Sequence, residues 1–267
     1  MLKILVSLCY ATAWRPNVAM PAGSGDRWPE DYERGRPGYP AEVVDVAGIA
    51  PAATVLDLGA GTGKLTRLLV SSFDDVVAVE PAEPMGRLLT TLCPDAQVLA
   101  GSAERIPLAD ASVDAVFAAE AFHWFDGDRA LAEIARVLRP PGALVLMWNL
   151  PAGLTEPSTA ALEQLVLERA PRDLEYDPSD LNARRYASGE WRAAFEGSLF
   201  HELQEVRLPN PQTLDRDGFV AFLASMGWIA DLPDGERLPL LERIRSLLDA
   251  DEYLRPWETH VCWTRLR

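Results

Sequence analysis

The sequence predicts an α/β fold in which a mostly parallel, doubly wound sheet carries helices on both faces. Short segments that are apolar throughout alternate with segments of helical periodicity as far as Asn149, and the first apolar segment ends in glycines. Strands that are apolar throughout are typical of parallel sheets buried on both faces. The 267 residues are enough for one large domain, or for one domain with a small cap.

The amino-terminal part of this pattern contains five strands. Residues 21–40 are rich in glycine, proline and charge, which predicts an irregular arm, and a short helix is expected over 41–49 because proline favours helix entry. Strands are predicted over 54–58, 76–79, 98–99, 113–119 and 143–148. Helices are predicted over 64–72, 85–92 and 130–138.

The pattern changes after Asn149. Mostly helical segments are predicted over 151–200, a weak strand over 200–208, two helices over 215–249 broken near 233–235, and a closing strand over 259–266. We interpret this part as the last two strands of the sheet plus a helical insertion that could cap the active cleft. The predicted organisation is an extension or arm over 1–30, a core over 31–150, and the cap with two strands over 151–267.

Composition excludes several function classes. Forty acidic and 25 basic residues give a net charge of −15, which disfavours nucleic acid and anionic membranes as partners. Cys9, Cys93 and Cys262 are too few and too scattered for a disulfide framework or a cysteine-rich metal site. No metal-ligand spacing is found, and His260 is expected to be structural.

The first residues leave the location of the protein open. Lys3 followed by the apolar residues 4–14 weakly resembles an export signal, but no apolar run is long enough to span a bilayer. A packed extension, or a true start at Met20, are the alternatives. The cofactor inferred below is cytosolic, which favours a cytoplasmic protein.

A glycine-rich turn follows the first strand. Gly59, Gly61 and Gly63 fit a tight turn into a helix, whose free amides suit anionic ligand groups. Their spacing differs from the dinucleotide pattern, which disfavours a dinucleotide-dependent oxidoreductase, and Lys64 does not complete a P-loop. Glu80 ends the second strand, where an acid can bind ribose hydroxyls; the alternative is a solvated loop carboxylate.

Four ordered segments resemble the motifs of class I S-adenosylmethionine-dependent methyltransferases: 57–63, 79–81, 101–107 and 134–142. Segments 32–40, 121–126 and 148–149 are also similar to a small-molecule branch that includes trans-aconitate methyltransferases. The resemblance covers about 31–149. It implies a Rossmann-like, seven-stranded fold, S-adenosyl-L-methionine as cofactor and S-adenosyl-L-homocysteine as product.

The resemblance also implies roles for individual residues. The methionyl part of the cofactor would be held by Asp57, Gly59, Gly61 and Gly63, and its ribose by Glu80. The adenine would be flanked by Met85, Ser102, Ala103 and Glu104, although many relatives carry Asp at position 102 and Met85 is equally well explained as a core residue. In the amino-terminal arm, Tyr32 would close the site and Arg36 would bind an acceptor carboxylate; the alternative is polar surface on a flexible arm.

The end of the fourth strand is expected to lie near the reacting methyl group, since ligands bind beyond the carboxyl ends of parallel strands. Glu120 and Ala121 would contact the cofactor there. His123 is a candidate general base, or alternatively a residue that orients the helix start. The acceptor would be lined by Phe122, Trp124, Trp148 and Asn149; aromatic packing is the alternative for the rings.

These assignments predict in-line displacement at the sulfonium methyl group, favouring O-methylation of a small-molecule carboxylate or hydroxyl. A carboxylate would need only a cation such as Arg36, whereas a hydroxyl would need a base such as His123. The alternative is a protein of the same fold that binds the cofactor without methylating. We expect a monomer or homodimer.

Overall fold

The computed structural model describes residues 28–152, 186, 189–230 and 232–267. The chain divides into two compact units. The sheet unit comprises Gly38–Leu150, Glu190–Asn210 and Glu258–Arg267. The helical unit is drawn from Met1–Pro37, Pro151–Gly189 and Pro211–Trp257.

A seven-stranded sheet forms the centre of the sheet unit. Its spatial order is β3 (Gln97–Ala100), β2 (Asp75–Glu80), β1 (Thr54–Leu58), β4 (Val113–Ala119), β5 (Leu138–Pro151), β9 (Trp257–Arg265) and β6 (Gln204–Pro209). The pairs among β1 to β5 are parallel, and β6 pairs with β9 antiparallel. This arrangement confirms the predicted mostly parallel α/β sheet and its two closing strands.

Helices of the sheet unit follow the strands in the chain and bury their apolar sides. They are α2 (Lys64–Val70), α3 (Glu83–Leu92) and α4 (Gly127–Val137), with 3-10 helices over Ala41–Val44, Phe122–Trp124 and Glu190–Phe195. Leu65 and Leu69 of α2 share a core cluster with Val55 and Phe117 of the strands. Their spacing along the sequence is the spacing that predicted the helix.

The helical unit is built from short elements. These are α1 (Trp28–Gly35), β7 (Gln212–Asp215), α5 (Arg216–Ala224), α6 (Gly227–Ala230), α7 (Asp234–Leu247) and β8 (Glu252–Arg255), with β7 and β8 antiparallel. The Asp215 carboxylate caps α5 by accepting from the Gly218 amide at 2.6 Å. Phe219, Phe222 and Tyr253 lie in its apolar cluster.

The prediction of an irregular arm over 21–40 is wrong for residues 28–35, which form α1. This helix depends on contacts made far along the chain. A Cβ on Gly35 would lie 2.1 Å from the Phe222 amide nitrogen, so α1 packs backbone against α5. Arg34 also pairs with Asp215 and Asp217 at 3.3 Å. Local glycine and proline content carries no information about such contacts.

Two further predictions need correction. The helix expected over 41–49 is a 3-10 helix over Ala41–Val44 alone. The region 215–249 holds three helices rather than two, because α6 forms a separate turn. The two-stranded β7–β8 sheet was not predicted. Most of the helical segment expected over 151–200 lies outside the described residues. Among the described helices, none combines the length and apolar composition needed to cross a membrane.

Candidate functional site

The loop between β1 and α2 brings three glycines to the carboxyl end of the parallel strands. Gly59, Gly61 and Gly63 have φ angles of 75°, 59° and 90°, the left-handed region that side chains disfavour. The Gly59 and Ala60 amides donate to the Val79 carbonyl at 2.9 and 3.1 Å. These bonds fix the loop beside the end of β2.

The surroundings of the three glycines differ. A Cβ on Gly59 would lie 2.9 Å from that of Ala121, and one on Gly63 would lie 2.6 Å from Cys93 Sγ. A Cβ on Gly61 would meet nothing within 4 Å. Packing therefore requires glycine at the outer two positions, whereas Gly61 leaves its backbone open to close approach by a ligand.

Asp57 lies in β1 directly before this loop and is 1% exposed. Its Oδ2 accepts from the Thr66 hydroxyl at 2.6 Å. Its Oδ1 is also buried and has no hydrogen-bond partner among the described residues. Burial raises the pKa of Asp57 from its ordinary value of 3.8 to about 7; the Thr66 hydrogen bond opposes this rise, and the nearby Glu80 carboxylate adds to it. A buried carboxylate oxygen without a donor suits a cationic ligand.

Glu80 ends β2 and reaches back to the glycine loop. Its Oε2 accepts from the Gly61 amide at 2.7 Å, and its Oε1 accepts from the Ala82 amide at 2.8 Å. Burial raises the pKa of Glu80, and these two hydrogen bonds oppose the rise. The carboxylate is therefore fixed beside the loop, not solvated on a free turn as the alternative interpretation held.

Glu120 follows β4 with a φ of 52°, an unusual conformation for a residue with a side chain. Its amide donates to the Met147 carbonyl at 2.8 Å, and its Oε1 accepts from the Asn149 amide at 2.5 Å. These bonds link the carboxyl ends of β4 and β5. Strained backbone of this kind clusters at functional sites.

The Asn149 side chain bonds to the protein around it. Its Nδ2 donates to the Gly38 carbonyl at 3.0 Å. Its Oδ1 accepts from the Thr259 hydroxyl at 2.6 Å and from Asn210 Nδ2 at 2.9 Å. Asn149 thus joins β5 to β9 and to the segment after β6, and its role as an acceptor contact stays a prediction.

His123 lies in the 3-10 helix after β4 and is buried. The indole nitrogen of Trp148 donates to its Nδ1 at 3.0 Å. An indole N–H can only donate, so Nδ1 accepts, and the neutral ring carries its proton on Nε2. In this arrangement the lone pair of the neutral His123 ring is bonded to Trp148.

An aromatic cluster surrounds these two residues. Trp148 packs on Trp191 with ring centroids 4.8 Å apart, and Phe122 packs on Phe195 at 5.6 Å. Phe125 lies 5.8 Å from Phe122. The predicted acceptor residues Phe122 and Trp148 are buried in this cluster. Trp124 is half-buried, and its ring packs at a tilt against that of His123, with centroids 4.9 Å apart.

Comparison with known proteins identifies the family. Residues 56–146 match the family described as a methyltransferase domain. An uncharacterized methyltransferase-like protein of Schizosaccharomyces pombe is 34% identical over 224 residues, which cover 82% of both chains. The chain belongs to the class I S-adenosylmethionine-dependent methyltransferase family.

Two other matches show how much of the chain is similar to known proteins. An uncharacterized methyltransferase of Mycobacterium tuberculosis is 57% identical over 118 residues, 44% of this chain and 49% of the relative. The matching region spans about half the length of that relative. A solved structure from Anaeromyxobacter dehalogenans, named as a candidate type II methyltransferase, is 27% identical, with a TM-score of 0.55 over 86% of this chain and 96% of that one.

The residues around the glycine loop suit a cofactor that has a cationic end. Asp57 offers a buried acceptor without a hydrogen-bond partner among the described residues, Gly61 leaves space that a Cβ would fill, and Glu80 places a carboxylate against the Gly61 amide. A carboxylate has about four acceptor positions, so Glu80 retains capacity for hydroxyl groups beyond its two backbone bonds. The fit rests on these three residues together.

The residues predicted to flank the adenine lie near the same end of the sheet. Ser102 follows β3, whose Ala100 is the register partner of Glu80 in β2. Ala103 and Met85 are buried, and Glu104 accepts from the Asp126 amide at 3.1 Å. Their contact with an adenine stays a prediction, as do the roles of Glu120 and Ala121.

Tyr32 and Arg36 lie in or just after α1 of the helical unit. Arg36 Nε donates to the Ser225 hydroxyl at 2.8 Å, and its guanidinium lies 5.6 Å from the Tyr32 ring centroid and 5.4 Å from that of Phe222. Contacts within the helical unit therefore orient Arg36, whereas the alternative interpretation placed it on a flexible arm. Its contact with an acceptor stays a prediction.

Several residues that contribute to the candidate site could not be predicted from the sequence. Thr66 donates a hydrogen bond from its hydroxyl to Asp57. It lies beyond the glycine loop in the sequence, and no motif identifies it. Trp191 and Phe195 have the four-residue spacing of a helix face, which signals burial but not a partner.

Proposed function

We propose that this methyltransferase transfers the methyl group of S-adenosylmethionine to an oxygen of a small-molecule acceptor, with a carboxylate preferred. The observation that carries the cofactor assignment is the buried Asp57 Oδ1, which has no hydrogen-bond partner among the described residues, together with the open position at Gly61. A ligand with an ammonium group at one end would supply the donor that Asp57 Oδ1 lacks, and its chain would occupy the open position at Gly61.

The chain's own residues would hold the cofactor at three points. Asp57 would accept from its ammonium group, the backbone at Gly61 would lie against its methionyl part, and Glu80 would accept from the ribose hydroxyls. When bound, S-adenosylmethionine supplies an electrophilic methyl group on a sulfonium. The protein's main contribution is then alignment and exclusion of water, which can lower a barrier by about 7–11 kcal/mol.

The preference for a carboxylate follows from His123. A hydroxyl acceptor needs a base with an accessible lone pair, and the lone pair of His123 accepts from Trp148. A carboxylate is already anionic and needs no base. In this proposal His123 does not act as a base, and by resemblance Arg36 supplies the cation that binds the acceptor.

Calorimetric titration tests the cofactor. We expect wild-type protein to bind S-adenosylhomocysteine and Gly61→Ala to bind it at least tenfold more weakly, because the new Cβ would fill the ligand's space. Gly48→Ala is the matched control: Gly48 has the same φ of 59° and an equally open Cβ position. Equal affinity in the two variants would refute this placement of the cofactor.

Product formation tests the reaction. Formation of S-adenosylhomocysteine is measured with a panel of small carboxylic acids, trans-aconitate included, and a panel of phenols. We expect turnover with carboxylic acids. Turnover with phenols alone would refute the carboxylate preference. Tight cofactor binding without turnover in either panel would favour the alternative of a cofactor-binding protein that does not methylate.

A further inference from the structure

We propose that Glu205, His260 and Cys262 form a binding site for Zn²⁺ on the sheet unit, apart from the cofactor loop. Glu205 lies on β6 and the other two on β9. In the sheet, β4, β5 and β9 lie between β1 and β6. Thiolate, imidazole and carboxylate are the three ligand types that zinc takes in proteins.

The strand register brings these side chains together. His260 and Cys262 are two residues apart on one strand and therefore point to the same face. Glu205 is the register partner of Cys262 on the antiparallel strand. His260 is 3% exposed and Cys262 is fully buried, so packing fixes two of the three donors. The sequence alone showed no metal spacing because the third donor comes from another strand.

The donor atoms have the spacing of one face of a zinc tetrahedron. Cys262 Sγ lies 3.6 Å from His260 Nε2 and 3.9 Å from Glu205 Oε2, and His260 Nε2 lies 2.9 Å from Glu205 Oε2. Ordinary zinc bond lengths at tetrahedral angles place such atoms about 3.4–3.6 Å apart. Each observed distance is within about half an ångström of that value, which rotation of the exposed Glu205 side chain can correct.

A cation already lies at this position. Arg192 NH2 donates to Glu205 Oε2 at 2.7 Å and lies 3.9 Å from Cys262 Sγ. The Arg192 and Glu205 side chains are 40% and 55% exposed, so their ion pair is readily exchanged with solvent. Zinc would replace the guanidinium, which can stay over the Trp191 ring, 4.6 Å from its centroid. Binding forms a Zn–S bond in place of the Cys262 S–H bond and releases that proton to solvent. His260 binds zinc through the lone pair of Nε2, so the ring proton that Nε2 shares with Glu205 moves to Nδ1.

Titration of the full chain with Co²⁺, then with Zn²⁺, tests the site. Co²⁺ on a thiolate gives a charge-transfer band that oxygen and nitrogen ligands do not give. We expect one such band per chain, displaced by one equivalent of Zn²⁺. We expect it to persist in Cys9→Ser/Cys93→Ser and to vanish in Cys262→Ser. Absence of the band from the wild type, or its survival in Cys262→Ser, would overturn the proposal.

Two further variants keep the test valid if Cys262→Ser folds poorly. Glu205→Gln changes an exposed side chain and should weaken Zn²⁺ binding at least tenfold in competition with a chromophoric chelator. Arg192→Met removes the competing cation and should strengthen Zn²⁺ binding at least tenfold. Unchanged affinity in both variants would show that Zn²⁺ does not bind at these residues.

Discussion

Acidification should weaken cofactor binding, because Asp57 must be ionised to accept from an ammonium group. In the free protein its carboxyl group has a pKa of about 7, raised mainly by burial. A bound cation favours the ionised form and lowers that pKa. Below pH 7 the cofactor therefore binds only the ionised fraction of the protein, and binding releases a proton.

The size of the effect follows from the pKa. About nine-tenths of Asp57 is ionised at pH 8 and about one-tenth at pH 6, since one pH unit is a factor of ten on either side of the pKa. Affinity for S-adenosylhomocysteine should therefore fall about tenfold from pH 8 to pH 6, or about 1.4 kcal/mol. Proton release on binding should rise from about 0.1 at pH 8 to about 0.9 at pH 6.

Calorimetry in buffers of different ionisation enthalpy measures both quantities. Asp57→Asn should bind more weakly and lose this pH dependence, leaving only what the ligand itself contributes. Thr66→Val removes the hydrogen bond that lowers the pKa of Asp57, so the midpoint should move to higher pH. Wild-type affinity that is constant from pH 6 to pH 8, or a dependence retained in Asp57→Asn, would refute the reasoning.

Three further predictions concern single side chains. Glu80→Ala should weaken S-adenosylhomocysteine binding at least tenfold in calorimetry, because the ribose hydroxyls lose their acceptor; unchanged affinity would remove that role. His123→Gln keeps a hydrogen-bond donor, so turnover should stay within about tenfold of the wild type. A general base contributes about 10²–10⁴-fold to the rate. A loss of turnover beyond about hundredfold would therefore show that His123 is the base. Phe122→Ala should lower the free energy of unfolding by about 3–5 kcal/mol in denaturant titrations, because Phe122 is buried among other rings; a loss below about 1 kcal/mol would contradict that packing.

The strands of the sheet were predictable because burial on both faces leaves them apolar throughout. β1 and β4 have the predicted bounds of 54–58 and 113–119. The fifth strand was predicted over 143–148 and extends over Leu138–Pro151. Its ends carry proline and glycine, which local propensity does not assign to a strand, and pairing within the sheet overrides that preference.

Elements of the helical unit were harder to predict because each depends on a distant partner. β7 pairs with β8 across α5, α6 and α7, and each strand has only four residues. So short a strand has almost no periodicity to detect. The Asp31 carboxylate of α1 bonds to Arg237 of α7, a contact that no local pattern contains.

In the candidate site, too, features set by residues close together in the sequence were predictable, and features set by distant residues were not. The glycine spacing and the acid at the end of β2 are local patterns, and they indicated the cofactor. The tautomer of His123 depends on Trp148, which lies on the neighbouring strand. A residue type can suggest a base, but only the partner of its ring nitrogen determines whether a lone pair is accessible.

The two buried acids beside the loop, Asp57 and Glu80, also explain why a cationic cofactor end should bind there. Glu80 raises the pKa of Asp57 by charge repulsion, and burial raises the pKa of both carboxyl groups. Glu80 is compensated by the Gly61 and Ala82 amides, whereas Asp57 Oδ1 has no donor among the described residues. An ammonium group at Asp57 would supply the missing donor and reduce the repulsion between the two acids. Burial of the Asp57 carboxylate carries a free-energy penalty in the free protein. A cationic ligand would relieve this penalty and a neutral ligand would not, so the site would select for a cationic ligand.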